Sequence, residues 1–150
     1  MNDDCGDPFR LGKRAPPPDY PRRALRGTLV AVLSFRRQQR GLRLIAANTR
    51  AIRRGEIHEL LVTDESGAAP GGTVDRVAGI AFVEFTLGGI LGETDRVVLG
   101  DEALGEVVGF DESHMPNHQN IVLRAAALLS GMERGLALEA KVAFIPRRRD

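Results

Sequence analysis

The stretch VAGIAFVEFTLGGIL, residues 77–91, decides the fold class. It is apolar on both alternating faces, and Glu84 is the only charge between Arg76 and Glu93. A strand covered on two sides reads this way, as does the wall of a closed barrel. Glu84 shares a parity with Ile80 and Phe82. If their face is the interior, the carboxyl is desolvated and its pKa rises, which prepares a general acid or base.

Shorter runs of similar character lie on either side. LRGTLVAVLSF (25–35) and GLRLIAAN (41–48) flank the polar turn RRQQRG and predict a hairpin. EIHELLVTD (56–64) predicts a third strand, closed by the turn-rich ESGAAPGG (65–72). Downstream, RVVLGD, LGEVVGF, QNIVLRAAA and EAKVAFI each predict a short strand, the last stopped by Pro146. The segment 126–140 mixes helix-favouring Ala and Leu with Gly131 and Gly135, which oppose a long helix. The pattern predicts an all-β domain with little helix, a small barrel or sandwich of about seven or eight short strands.

Proline and charge set the limits of that domain. Pro8, Pro16, Pro17, Pro18 and Pro21 punctuate residues 1–24 and exclude a helix or a central strand there. An extended or disordered arm is expected over 1–24, one domain over 25–146, and a basic tail over 147–150. With 150 residues, a second hydrophobic core has no room. No apolar run reaches the roughly 20 residues of a membrane helix, and the start MNDDCGDPFRLGKR lacks a secretory apolar region. The lone Cys5 has no internal partner. A reducing cytoplasm is the expected compartment.

The net charge of +1 hides an asymmetry. Residues 1–54 carry 13 Lys/Arg against four Asp/Glu, a net +9, and residues 55–150 carry 8 against 16, a net −8. Opposite halves of this kind pair within a fold or across a homodimer, and a homo-oligomer is the expected assembly. The alternative is a polyanion-binding face using Arg36, Arg37, Arg40, Arg43, Arg50, Arg53 and Arg54. Phe35 is the only aromatic residue there, so a base-stacking platform is missing, which argues against nucleic acid.

Chemistry concentrates in GFDESHMPNHQN (109–120), which holds Asp111, Glu112, His114 and His118. Two of the three histidines lie here, around the turn signature Pro116–Asn117. Imidazoles titrate near about pH 6.5, and a neighbouring carboxylate fixes their tautomer. The bland alternative is a polar hairpin loop with solvated histidines. His114 and His118 with Asp111 or Glu112 can also hold zinc or another divalent ion. The His-x-x-x-His spacing is a weak sign of it, because Pro116 opposes a helix and Met115 replaces the glutamate of helical zinc proteases.

Elsewhere, Glu106 shares a parity with Leu104, Val108 and Phe110 and repeats the theme of Glu84. His58 and Glu59 are adjacent and point to opposite faces of a strand, so they cannot line one cavity together. His58 reads as structural or exposed. No phosphate-binding glycine loop or nucleophile elbow is present, and Ser113 beside His114 is a remote nucleophile candidate.

The expected function is a small acid–base enzyme without an organic cofactor, of the lyase, isomerase or cyclase type. It would act on a small organic molecule in a barrel-mouth pocket. His114, His118, Asp111 and Glu84 are the expected catalytic groups, with Glu112, Asn117, Asn120 and Glu106 binding substrate. A non-catalytic domain that binds a ligand or partner is the first alternative, and an arginine-based nucleic-acid binder the second.

Overall fold

The computed structural model describes residues 15–147. Cys5, the first part of the proline-rich arm and the last residues of the basic tail lie outside them. Twelve strands follow in chain order: β1 Leu25–Val32, β2 Arg36–Arg37, β3 Leu42–Arg43, β4 Thr49–Ile52, β5 Ile57–Thr63 and β6 Thr73–Val74. The second half contributes β7 Val77–Leu87, β8 Gly89–Gly92, β9 Arg96–Leu99, β10 Glu102–Asp111, β11 Asn120–Arg124 and β12 Lys141–Ile145. No helix occurs among the described residues.

The main sheet runs β1-β12-β9-β10-β11-β5-β7, and β7 pairs back onto β1. The strands therefore close into a barrel, and β2 continues the pairing of β1 along the same edge of β7. Every pair is antiparallel except β5 and β11, which run side by side with Glu59 opposite Asn120 and Thr63 opposite Arg124. Ring closure leaves no free edge in the main wall. The all-β reading holds, in its barrel form.

Two apolar clusters stabilise the wall from its two sides. The interior is filled by Leu29, Leu60, Val62, Phe85, Phe110, Ile121, Leu123 and Phe144, all fully buried. Outside, Leu61, Val108 and Val122 pack under Leu42, Leu44, Val74 and Val77. These last residues belong to an excursion in which β3 pairs with β6. Both faces of β5 are thus covered, which accounts for its near-continuous apolar run.

Two local expectations differ from the structure. Residues 25–35 and 41–48 do not form a hairpin: β1 lies between β12 and β7, and 42–43 pair with 73–74. Non-local pairing outcompetes the nearest neighbour because the barrel needs β1 as its closing strand. The strand β7 is the second difference. Leu60 pairs with Ala81 and Leu61 with Gly79, so Ile80 is an extra, bulged residue. Ile80 and Ala81 both enter the interior cluster, and the parity of the strand slips by one. Glu84 consequently lies on the outer face and is exposed.

Residues 15–24 run along the barrel without secondary structure. The Asn48 side-chain amide donates to the Pro16 carbonyl at 2.8 Å, and Arg23 Nε donates to the Gly88 carbonyl at 2.8 Å. Arg22 forms a two-pronged ion pair with Asp95, at 2.9 and 2.7 Å, with both side chains buried. Across the ambiguous 126–140 segment the chain makes turns. Ser130 N–H donates to Glu133, and Glu133 N–H donates to the Ser130 hydroxyl, a reciprocal pair of the kind that opens helices. Arg36 of β2 holds the same Glu133 by both nitrogens. Arg22–Asp95 and Arg36–Glu133 each join the basic first third of the chain to its acidic remainder.

Candidate functional site

Strands β10 and β11 are joined by the loop 112–119, whose base is tied by Asp111. Its carboxylate accepts from the Ser113 hydroxyl at 2.5 Å, from Ser113 N–H at 3.2 Å and from the Asn120 amide at 2.8 Å. Asp111 is buried and committed to this frame. Asn120 is likewise buried, and its Oδ1 has no hydrogen-bond partner among the described residues. Ser113 is occupied as a frame donor. Within the loop, Asn117 N–H and His118 N–H both donate to the His114 carbonyl, a tight turn that places the two imidazoles together. Their rings stack with centroids 5.0 Å apart and planes 25° from parallel.

The carboxylate that meets them is Glu59, from the middle of the sequence. Because β5 and β11 are parallel neighbours, Glu59 on β5 lies level with Asn120, just beyond His118. Its Oε1 is 3.0 Å from His118 Nε2. Both residues are buried, and among the described residues His118 is the ion-pair partner of Glu59. The Asn117 side-chain amide is 2.8 Å from His118 Nδ1. An amide N–H donating there leaves the ring proton on Nε2, directed at Glu59. Phe82 packs edge-on against His118 with ring centroids 4.9 Å apart, while His114 is exposed. One ligand-type atom from each of Glu59, His114 and His118 lies within 4.8 Å of the other two.

A second polar chain borders this cluster. His58 points inward, against Phe85. Its Nδ1 accepts from Gln119 N–H at 2.9 Å, and its Nε2 meets Glu56 Oε1 at 2.7 Å. Burial pushes the His58 imidazole below its ordinary pKa, and the Glu56 carboxylate only partly opposes that shift. Burial alone would raise Glu56, but the Arg53 N–H, the His58 ring and the Arg50 charge together hold it below the usual range. Arg50 and Glu112 both reach the Gln119 side chain.

The sequence candidates therefore divide. His114, His118 and Asn117 come together. Glu112 is exposed and linked to Gln119, while Asp111 and Asn120 form the frame under the loop. Neither Asp111 nor Glu84 joins the histidines; Glu59 takes that place. Glu106 is elsewhere: it lies level with Arg124, toward the other end of β10 and β11. The histidine cluster is on the outer face of β5, since Leu60 beside Glu59 fills the interior, so it is not in the barrel mouth. Sequence reasoning missed Glu59 because only the parallel β5–β11 seam brings it near residue 118. The available signal was its position as a charge inside the apolar run HELLV.

The chain belongs to a family of unknown function, DUF6917, whose characteristic pattern matches residues 19–145. No curated protein and no solved structure matches it. No described helix is long and apolar enough to cross a membrane.

Proposed function

We propose that this member of the DUF6917 family is a small enzyme whose working centre is a divalent metal ion held by Glu59, His114 and His118. The observation that carries the reading is the convergence of two imidazoles and one buried carboxylate within 4.8 Å. Glu59 has no arginine or lysine partner among the described residues, so a cation beside it would offset the cost of burying its charge. Two nitrogens and one carboxylate suit zinc and ferrous iron alike, and three protein ligands leave positions open for water or substrate. A bound ion there would supply Lewis acidity and an acidified water.

The neighbouring residues fit supporting roles. Asn117, with its amide turned to present oxygen, accepts the Nδ1 proton of His118 when Nε2 serves the metal. Exposed His114 opens the centre to solvent and to a small organic substrate. A lyase, isomerase or cyclase step, in which a proton is moved next to a polarised oxygen, matches this set. A second reading rests on the 3.0 Å Glu59–His118 hydrogen bond. Without metal, Glu59 accepts from His118 Nε2–H and fixes that ring, and exposed His114, held in place by stacking on it, exchanges a proton with substrate.

Elemental analysis of the full chain, dialysed after zinc or anaerobic ferrous loading, separates the two. The metal reading expects about one ion per chain, and loss of that ion in Glu59→Gln, His114→Ala and His118→Ala, each still folded by circular dichroism. Wild-type protein that retains no ion overturns it. The proton-relay reading then stands only if the same variants lose turnover in a substrate screen.

A further inference from the structure

The barrel carries another concave surface at the far end of β10 and β11, around the carboxylate the sequence singled out and the metal centre does not use. We propose that this groove is a binding site for a small organic acid, one carboxylate on an apolar body. It goes beyond the metal-site reading and does not depend on it.

The groove encloses about 440 Å3, a volume suited to a small ligand. Its floor is apolar, made by Val98, Ala103, Ala125 and Ala126. Gly105 also lines the groove, at a point where the backbone of β11 leaves no room for a side chain. Its φ is +149°, and a Cβ there would meet the Arg124 carbonyl at 2.6 Å. Three guanidiniums stand around the floor: Arg96, Arg124 and Arg147.

The distribution of charge identifies the occupant. Glu106 is shared by two of the arginines, with Arg124 Nη2 at 2.5 Å from Oε1 and Arg147 Nη2 at 3.0 Å from Oε2. Asp64, the other acid of the lining, turns its two oxygens to Arg76, each at 3.0 Å. Arg96 has no carboxylate in ion-pairing reach among the described residues, and it is exposed. Three cations thus face one available anion. Glu106 holds two of them in fixed orientation, and Arg96 is left to accept a carboxylate in the two-pronged geometry that guanidinium favours. A ligand that was only an anion would leave the apolar floor uncovered, and a neutral hydrocarbon would leave Arg96 without a counter-charge.

The test is calorimetric titration of the full chain with four probes: hexanoate, hexanamide, acetate and inorganic phosphate. Hexanoate should bind at least tenfold tighter than each of the others, and added salt should weaken it. Arg96→Gln, an exposed substitution, should lower hexanoate affinity about tenfold, the loss of one charge-assisted pair. Ala126→Trp, which fills the floor from an exposed position, should lower it as well. His118→Ala should leave it unchanged, which separates this site from the metal centre. Equal binding of hexanamide, acetate or phosphate, no binding of hexanoate, or an unaffected Arg96→Gln protein overturns the proposal.

Discussion

Arg22 and Asp95 meet through two hydrogen bonds with both side chains buried, although one precedes the barrel and the other turns between β8 and β9. Asp95 also accepts from Gly92 N–H at 2.8 Å, so the pair ties the proline-rich segment to that turn. The hydrogen bonds that Arg22 donates to Asp95 hold its guanidinium above the ordinary pKa, against the effect of burial.

Removing one partner strands a buried charge. Arg22→Met should cost about 3–5 kcal/mol in urea unfolding, the range for breaking a buried ion pair. The double variant Arg22→Met, Asp95→Leu should recover part of that loss. A single variant within about 1 kcal/mol of wild type would show that the pair behaves like a surface contact.

Acid should loosen the 126–140 segment by way of Glu133. Arg36 and the Ser130 backbone hold the Glu133 carboxyl at about 2, below its ordinary 4.5. A depressed carboxylate contributes its stabilisation above pH 4.5 and loses it as pH falls through about 2. Protection of the Ser130–Gly135 amides, taken as exchange relative to the intrinsic rate at each pH, should therefore fall across that window in the wild type. In Glu133→Gln the protection should already be low at pH 6 and change little below it.

Two carboxylates separated by about a third of the chain should fail in different ways. Asp111→Asn should disturb the loop base and lower stability by about 1–3 kcal/mol, the cost of leaving buried donors poorly matched. Glu59→Gln should abolish metal retention with the barrel intact. Exposed Glu84→Gln should change stability by no more than about 0.5 kcal/mol and leave metal content alone. Any effect of Glu84→Gln on metal would place that residue in the centre after all.

Glycines give a separate check on the packing. Gly131 sits where a Cβ would lie 2.0 Å from the Ile80 carbonyl, so Gly131→Ala must move backbone. Its cost should reach the upper part of the overpacking range, about 3 kcal/mol. Gly135 has open space but a φ of +72°, so Gly135→Ala should cost only about 1–2 kcal/mol. Thermal melts that rank the two the other way would refute the close approach.

The strand content was legible because alternation and apolar runs reflect local burial, and β5, β7 and β12 lie where those patterns put them. The histidine pair was legible for a similar reason: a tight turn brings residues 114 and 118 together by local geometry alone. Glu84 misled because parity is counted along an ideal strand, and the bulge at Ile80 interrupts the count. Glu59 was hidden because its partner lies 59 residues away across a parallel seam. The strand β4 (Thr49–Ile52) escaped notice because it is short and pairs only with β8 in a separate two-stranded ribbon.

The closure of the ring sets an order on biosynthesis. Strand β1 can pair with β7 as soon as residue 87 has emerged from the ribosome, but its other neighbour, β12, comes only with residues 141–145. Strand β9 waits for the same partner. Until then a nascent chain presents two open edges of hydrogen-bonding backbone, the geometry that invites pairing with a second copy. Stalled or C-terminally shortened chains are therefore the forms of this protein most prone to aggregate. Its folding is governed by sequence-distant contacts, which places it among the slower β topologies.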